Sequence, residues 1–372
     1  MDLLLNFAHT ALMFLLVLTV LVFVHEWGHY WVARRCGVRV ETFSIGFGRE
    51  IFGWTDKVGT RWKFSAIPRG GYVKFFGDLN AASAPSAAAV AGMSEADRRV
   101  AFPTQTVGKR AAIVAAGPVA NFLFAILLLA GFFVFVGQPY TSADVGEVLP
   151  DSPAAEAGFA PGDRILRIDG QKIDRFLDMQ QIVSMSPGER LTFLVEREGR
   201  QLTLIAVPEA VEVADPLGKP QIIGRLGVAR PAEDFVKRDP VTAVWYATAE
   251  TGHILRLSFK FLGQIFEGKR SGEELGGPLR IAQFSAQSAK DGAMSLVWFM
   301  ALLSINLGFV NILPVPMLDG GHLLYYAFEW VTGRPLSAKV QEYGFRIGLA
   351  LVLSLMVFVT WNDINYLKIF NF

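Results

Sequence analysis

The chain has 372 residues, 52% of them apolar and 19% charged, with a mean hydropathy of +0.36. Soluble domains carry about a quarter of their residues as Asp, Glu, Lys and Arg, so this balance argues against a soluble enzyme, while 35 basic and 34 acidic residues are too many for a chain made only of membrane helix. A net charge of +1 points to no nucleic-acid partner, and the single Cys36 excludes a disulfide framework and a cysteine zinc finger, which leaves His and carboxylates as the available metal ligands.

Residues 1–30 predict a first transmembrane helix, since Leu3 to Val24 carry no charge and about 20 residues cross a hydrocarbon core of roughly 30 Å. A signal peptide fits less well, because Asp2 stands where a basic stretch belongs and no small-residue cleavage site follows. Residues 31–107 read as a polar loop. Within it, Arg61 to Phe76 alternates Trp62, Phe64 and Ala66, turns at Pro68 to Gly71 and resumes, which predicts a β-hairpin with an apolar face. Phe43 to Trp54 offers a further strand, and the Ala, Ser and Pro tract Leu79 to Ala96 reads as a flexible linker.

A second span is expected over 108–138, short strands with Gly/Pro turns over 144–210, and a polar segment over 211–292. In that segment Pro240 to Gly268 predicts an amphipathic helix lying in the membrane interface. Val244, Trp245, Leu255, Phe259, Leu262 and Phe266 form its apolar face, with Glu250, Arg256 and Lys260 turned away. A third span covers 293–322, broken near its end by Pro314 and Pro316, and a fourth covers 343–361 with Arg346 able to snorkel. From Arg34 to Arg110, 13 basic residues face 6 acidic ones, whereas Gln138 to Gly292 carries 18 against 22. The positive-inside rule then places the first loop in the cytoplasm, and both termini and residues 138–292 outside.

The chemistry gathers at His25-Glu26-Trp27-Gly28-His29, an H-E-x-x-H at the end of the first span. Two His four residues apart share one helix face and can hold one Zn²⁺, with the intervening Glu beside the position of an attacking water. Ionisable residues at lipid depth are costly and usually functional. A third ligand is needed. His9 and His253 are badly placed for it, and the residues themselves leave Asp319 and His322 open, both in Asn311-Ile312-Leu313-Pro314-Val315-Pro316-Met317-Leu318-Asp319-Gly320-Gly321-His322. Prolines at this depth suit a backbone buried in protein or lining a wet cavity. A metal transporter fits less well, because the ionisable residues collect at one depth.

HEWGH, PRGGYVK, GKRAAIVAAGPVANFLFA, GGPLRIAQ and NILPVPMLDGGH, in that order along nearly the whole chain, resemble the site-2 proteases, the intramembrane zinc metalloproteases of peptidase family M50, and most closely the bacterial regulator-of-sigma-E (RseP) branch. The resemblance implies Asp319 as third zinc ligand beside His25 and His29, Glu26 as general base, and Asn121 and Asn311 as substrate-positioning residues. For His322 it implies a structural or supporting role. Gly146 to Ala154, Ala157 to Phe159, Pro161 to Leu166 and Ile168 to Gly170 look like one bacterial PDZ domain, where this branch often carries two; such a domain binds an extended peptide as an added strand.

The implied fold is a polytopic α-helical membrane protein with about four transmembrane helices, a membrane-associated β-hairpin element and one periplasmic PDZ domain (α+β). The implied enzyme lies in a bacterial inner membrane, with its active site at membrane depth near the cytoplasmic side. It binds one Zn²⁺ and cleaves single-span proteins, of the anti-sigma-factor or remnant-signal-peptide type, after an upstream site-1 protease has trimmed them outside. The alternative is a catalytically inactive, membrane-anchored PDZ binding module.

Overall fold

The computed structural model of the chain describes residues 2–78, 92–139, 143–214, 220–229 and 235–367. The chain divides into two compact units, one of residues 1–130, 244–258 and 265–372, the other of residues 131–243 and 259–264. Most of the linker expected over 79–96 lies outside the described residues. Its last two residues, Glu95 and Ala96, belong instead to a short helix, because Ser94 accepts a capping bond from the Asp97 N–H.

The first unit opens with α1 (Asp2–Arg35), whose last turn carries Arg34 and Arg35 where the helix dipole favours cations. β1 (Val40–Thr55) and β2 (Arg61–Phe75) then pair as an antiparallel sheet. The expected hairpin within Arg61–Phe76 is therefore replaced: Arg61–Phe75 is one strand whose two halves pair with β1 rather than with each other across Pro68–Gly71. Its connecting turn is made by Asp56, whose carboxylate accepts from the N–H groups of Val58 and Thr60 at 3.0 and 2.9 Å and from Trp62 Nε1 at 2.9 Å. Phe43, Ser44 and Ile45 each face two partners, Val73 and Trp62, Tyr72 and Lys63, Gly71 and Phe64, so the start of β1 has neighbours on both sides.

α2 (Glu95–Val100) leads into α3 (Val107–Phe135), which contains Pro118. Later in the chain come α6 (Pro240–Phe266), α7 (Pro278–Lys290), α8 (Ala293–Ile312), α9 (Asp319–Thr332) and α10 (Ala338–Leu367). Four helices are long and apolar enough to cross a membrane: Leu5–Arg35, Val107–Phe135, Ala293–Ile312 and Lys339–Leu367. The third ends ten residues before His322, because Pro314 cannot continue the ladder and residues 313–318 form a turn with Met317 at φ +83°.

One core cluster joins Ala33 of α1, Phe43 and Phe75 of the sheet, Ile113 of α3 and Tyr326 of α9; a second joins Val17 and Leu21 of α1 to Met300 of α8. Aromatic rings lock the sheet to α1, with Phe43 stacked on Trp62 at 4.4 Å and Tyr30 edge-on to Trp62 at 5.1 Å.

The second unit holds β3 (Gln138–Pro139), β4 (Glu147–Val148), α4 (Pro153–Glu156), β5 (Arg164–Ile168), β6 (Gln171–Lys172), α5 (Phe176–Ser184), β7 (Leu191–Arg197), β8 (Arg200–Ala206), β9 (Glu209–Ala214), β10 (Pro220–Arg225), β11 (Val228–Ala229) and β12 (Phe235–Val236). Its main sheet runs β6-β5-β7-β8. Residues beyond 210 belong to the same unit, since β11 pairs with β4 and the Ala154 N–H donates to the Leu226 carbonyl at 2.8 Å.

α6 forms as expected, with large apolar side chains on its open face. Val241, Val244, Trp245, Phe259 and Phe266 are exposed while Glu250, Thr251 and His253 are buried. An apolar face left open suits lipid, where leaving water is no longer the reason to bury it.

Candidate metal centre

His25 and His29 lie one turn apart on the buried face of α1. Their Nε2 atoms approach to 3.2 Å, and Asp319 Oδ2 stands 3.2 Å from the first and 3.5 Å from the second. Among the described residues these three form the one group of His, Cys, Asp and Glu side chains able to share a metal ion. A tetrahedral ion with bonds of about 2.0–2.1 Å has edges of about 3.3 Å, so the three atoms stand at the spacing that Zn²⁺ requires. The buried Asp319 Oδ2 faces only the two imidazole nitrogens, at 3.2 and 3.5 Å, as a carboxylate oxygen sharing a cation with them would. The residues fit the metal.

Asp319 reaches this point because α9 begins against the turn that ends α8. A Cβ on Gly320 would stand 2.2 Å from the Ile312 and Leu313 carbonyl oxygens, and one on Gly321 would stand 2.4 Å from that of Val315. Only glycine permits that approach. His322, three residues on, stands outside the group and lies edge-on to Tyr325, with ring centres 6.3 Å apart.

Glu26 projects from α1 towards β2, beside Gly71. A Cβ on Gly71 would be 3.2 Å from Glu26 Cγ and 2.7 Å from the Ser44 carbonyl oxygen, so the strand passes close by. Asn121 is fully buried, with Nδ2 3.1 Å from His25 Nδ1. Asn311 sits in the last turn of α8, where its Nδ2 donates to the Leu307 carbonyl at 2.9 Å. The structure thus gathers His25, His29, Asp319, Glu26 and Asn121, while the Asn311 amide nitrogen bonds within its own helix.

Sequence reasoning missed several contributors. The Ile113 carbonyl accepts from His29 Nδ1 at 2.9 Å, which fixes that ring. Gly117 lies so close that a Cβ would stand 2.3 Å from His29 Nε2 and 2.8 Å from His25 Cε1. The available signal was spacing: Gly117 and Asn121 are four apart in the GPVAN stretch and therefore share one face of α3.

Residues 13–355 match the model of peptidase family M50. A chain of Agrobacterium fabrum, named as a putative zinc metalloprotease, is 47% identical over 358 aligned residues that cover 95% of both proteins. A chain of Rhizobium meliloti with the same description is 46% identical over 366, covering 97% of this chain and 98% of that one. The metalloprotease MmpA of Caulobacter vibrioides is 41% identical over 381 aligned positions, covering 96% of each. On a match that spans most of its length and on relatives of this similarity, the chain belongs to peptidase family M50.

Proposed function

We propose that the chain is an intramembrane endopeptidase that uses His25, His29 and Asp319 to hold its zinc and Glu26 to move protons. As a family M50 peptidase with relatives named as zinc metalloproteases, it is a zinc metalloprotease and Zn²⁺ is its cofactor. One observation carries the intramembrane reading. His25, His29 and Glu26 lie on a helix long and apolar enough to cross a membrane, and Asp319 meets them there.

Zn²⁺ held by the three ligands supplies Lewis acidity, polarising the scissile carbonyl and lowering the pKa of the attacking water. Glu26 takes the water's proton and delivers it to the leaving amine. His29 is held to one orientation by the Ile113 carbonyl.

A helical substrate hides its carbonyls in hydrogen bonds, so local unwinding precedes cleavage. β2 passes beside Glu26, and pairing an unwound segment against this sheet would satisfy the freed backbone groups. Exposed Ile51, Phe52, Trp54 and Phe64 on the same sheet suit contact with lipid. The second unit is read as a periplasmic PDZ domain that excludes untrimmed substrates by bulk. The loop charges support that side of a bacterial inner membrane, with single-span proteins of the anti-sigma-factor or remnant-signal-peptide type as substrates and a site-1 protease acting first.

The test is cleavage-site mapping. Purified enzyme with a single-span substrate already shortened outside should yield new termini inside the apolar segment by mass spectrometry. New termini only in the flanking polar sequence would contradict an intramembrane reaction.

A further inference from the structure

Asn121 stands one turn beyond Gly117 on α3 and is fully buried. Ser304 Oγ of α8 donates to its backbone carbonyl at 2.8 Å, which anchors the residue. Its Nδ2 faces His25 Nδ1 at 3.1 Å, and its Oδ1 is buried with no hydrogen-bond partner.

An imidazole carries two nitrogens, and the bond made by one decides what the other can do. For His29 that bond runs to the Ile113 carbonyl, which can only accept. The ring proton is therefore on Nδ1, and Nε2 turns a lone pair towards Asp319. His25 faces a primary amide instead, which offers a donor at one end and an acceptor at the other within the same outline. With Nδ2 towards the ring, Nδ1 accepts, and the ring proton is on Nε2, pointing at Asp319 Oδ2 3.2 Å away. That arrangement cannot ligate a metal. With the amide turned end for end, Oδ1 accepts from Nδ1–H and Nε2 is a free lone pair.

We infer that Asn121 is the positioning residue for His25: with Oδ1 turned to Nδ1–H, its amide holds the ring in the form that aims both histidine lone pairs at one point. This rests on reading His25, His29 and Asp319 as metal ligands, and it replaces the substrate contact that family resemblance implies for Asn121. A fully buried side chain on the Nδ1 side of the ring, away from the metal-facing Nε2, supports the ligand instead.

Chelator competition on the full-length chain in detergent measures the effect. Asn121→Ala and Asn121→Leu should bind zinc about 10–100-fold more weakly, the usual effect of removing a ligand's supporting partner. Asn121→Asp, whose carboxylate accepts, should bind at least as tightly as wild type. Cobalt loading adds a second readout, with the visible absorption of wild type kept in Asn121→Asp and shifted or lost in Asn121→Ala. Wild-type affinity in the Ala and Leu variants overturns the inference, as does an equal loss in all three. His25→Ala separates this from the ligand assignment. Undiminished zinc in that variant overturns the site itself, whereas zinc lost there and kept in Asn121→Ala overturns only the role of Asn121.

Discussion

Gly117 sets how closely α3 can approach the proposed metal ligands His25 and His29. Alanine there would place its methyl group 2.3 Å from His29 Nε2, in the space that an ion needs. In an unconstrained helix the same change is stabilising by up to about 1 kcal/mol, so a loss would not stem from weaker helix formation. Gly117→Ala should lower zinc affinity by more than about 100-fold, roughly 3 kcal/mol, while α3 stays helical; zinc titration followed by circular dichroism reads both. At this scale the sequence was most informative where chemistry and period coincide, as in His25 and His29 four apart on one face. Asp319 and His322 were indistinguishable by residue type. What separates them is backbone contact, the packing of Gly320 and Gly321 against the turn before α9, and no side-chain pattern encodes that.

Elements are held by a few buried polar clamps. Asp363 of α10 is fully buried and accepts from the N–H groups of Gly277, Leu279 and Arg280 at 2.8, 2.9 and 3.1 Å and from Arg280 Nε at 2.9 Å. It therefore caps the start of α7 and neutralises Arg280 together. Asp363→Ala strands a buried guanidinium, and thermal unfolding in detergent should register a loss of about 3–5 kcal/mol.

In the second unit, burial alone would raise the Asp163 carboxyl, but the Arg197 fork at 2.6 and 2.7 Å and the Ala160 N–H hold it below the usual range. A depressed folded value adds stability above the unfolded pKa of about 3.9 and loses it as pH falls through the folded value. Calorimetry of the full chain between about pH 5 and pH 3 should show the second unit weakening, and Arg197→Gln should flatten that dependence.

The β-sheet and α6 show why elements were only partly legible. Strand alternation marked Arg61–Phe76, but the partner depends on the Asp56 turn. The α6 pattern gave the helix, but Glu250 of its polar side is buried while Arg256 is exposed, since amphipathic period carries no label for which face meets protein.

Across the whole molecule, hydropathy found the four helices able to cross a membrane, because length and absence of charge are properties of sequence alone. Ends were less legible where a turn intervenes, as at Pro314. The extent of the second unit was also hidden, since β11 returns to pair with β4 about 80 residues earlier in the chain, a long-range closure that local pattern cannot report. The 13 basic against 6 acidic residues from Arg34 to Arg110 remain the basis for proposing a cytoplasmic side.

The most direct test joins metal and reaction in one variant. Glu26→Gln keeps the shape of the side chain and all three ligands but cannot accept a proton. Zinc content and cleavage of a single-span substrate should be measured together. The expected result is one zinc per chain with cleavage reduced by about 10²–10⁴-fold. Full zinc with undiminished cleavage would contradict the assignment of Glu26 as the base at this centre.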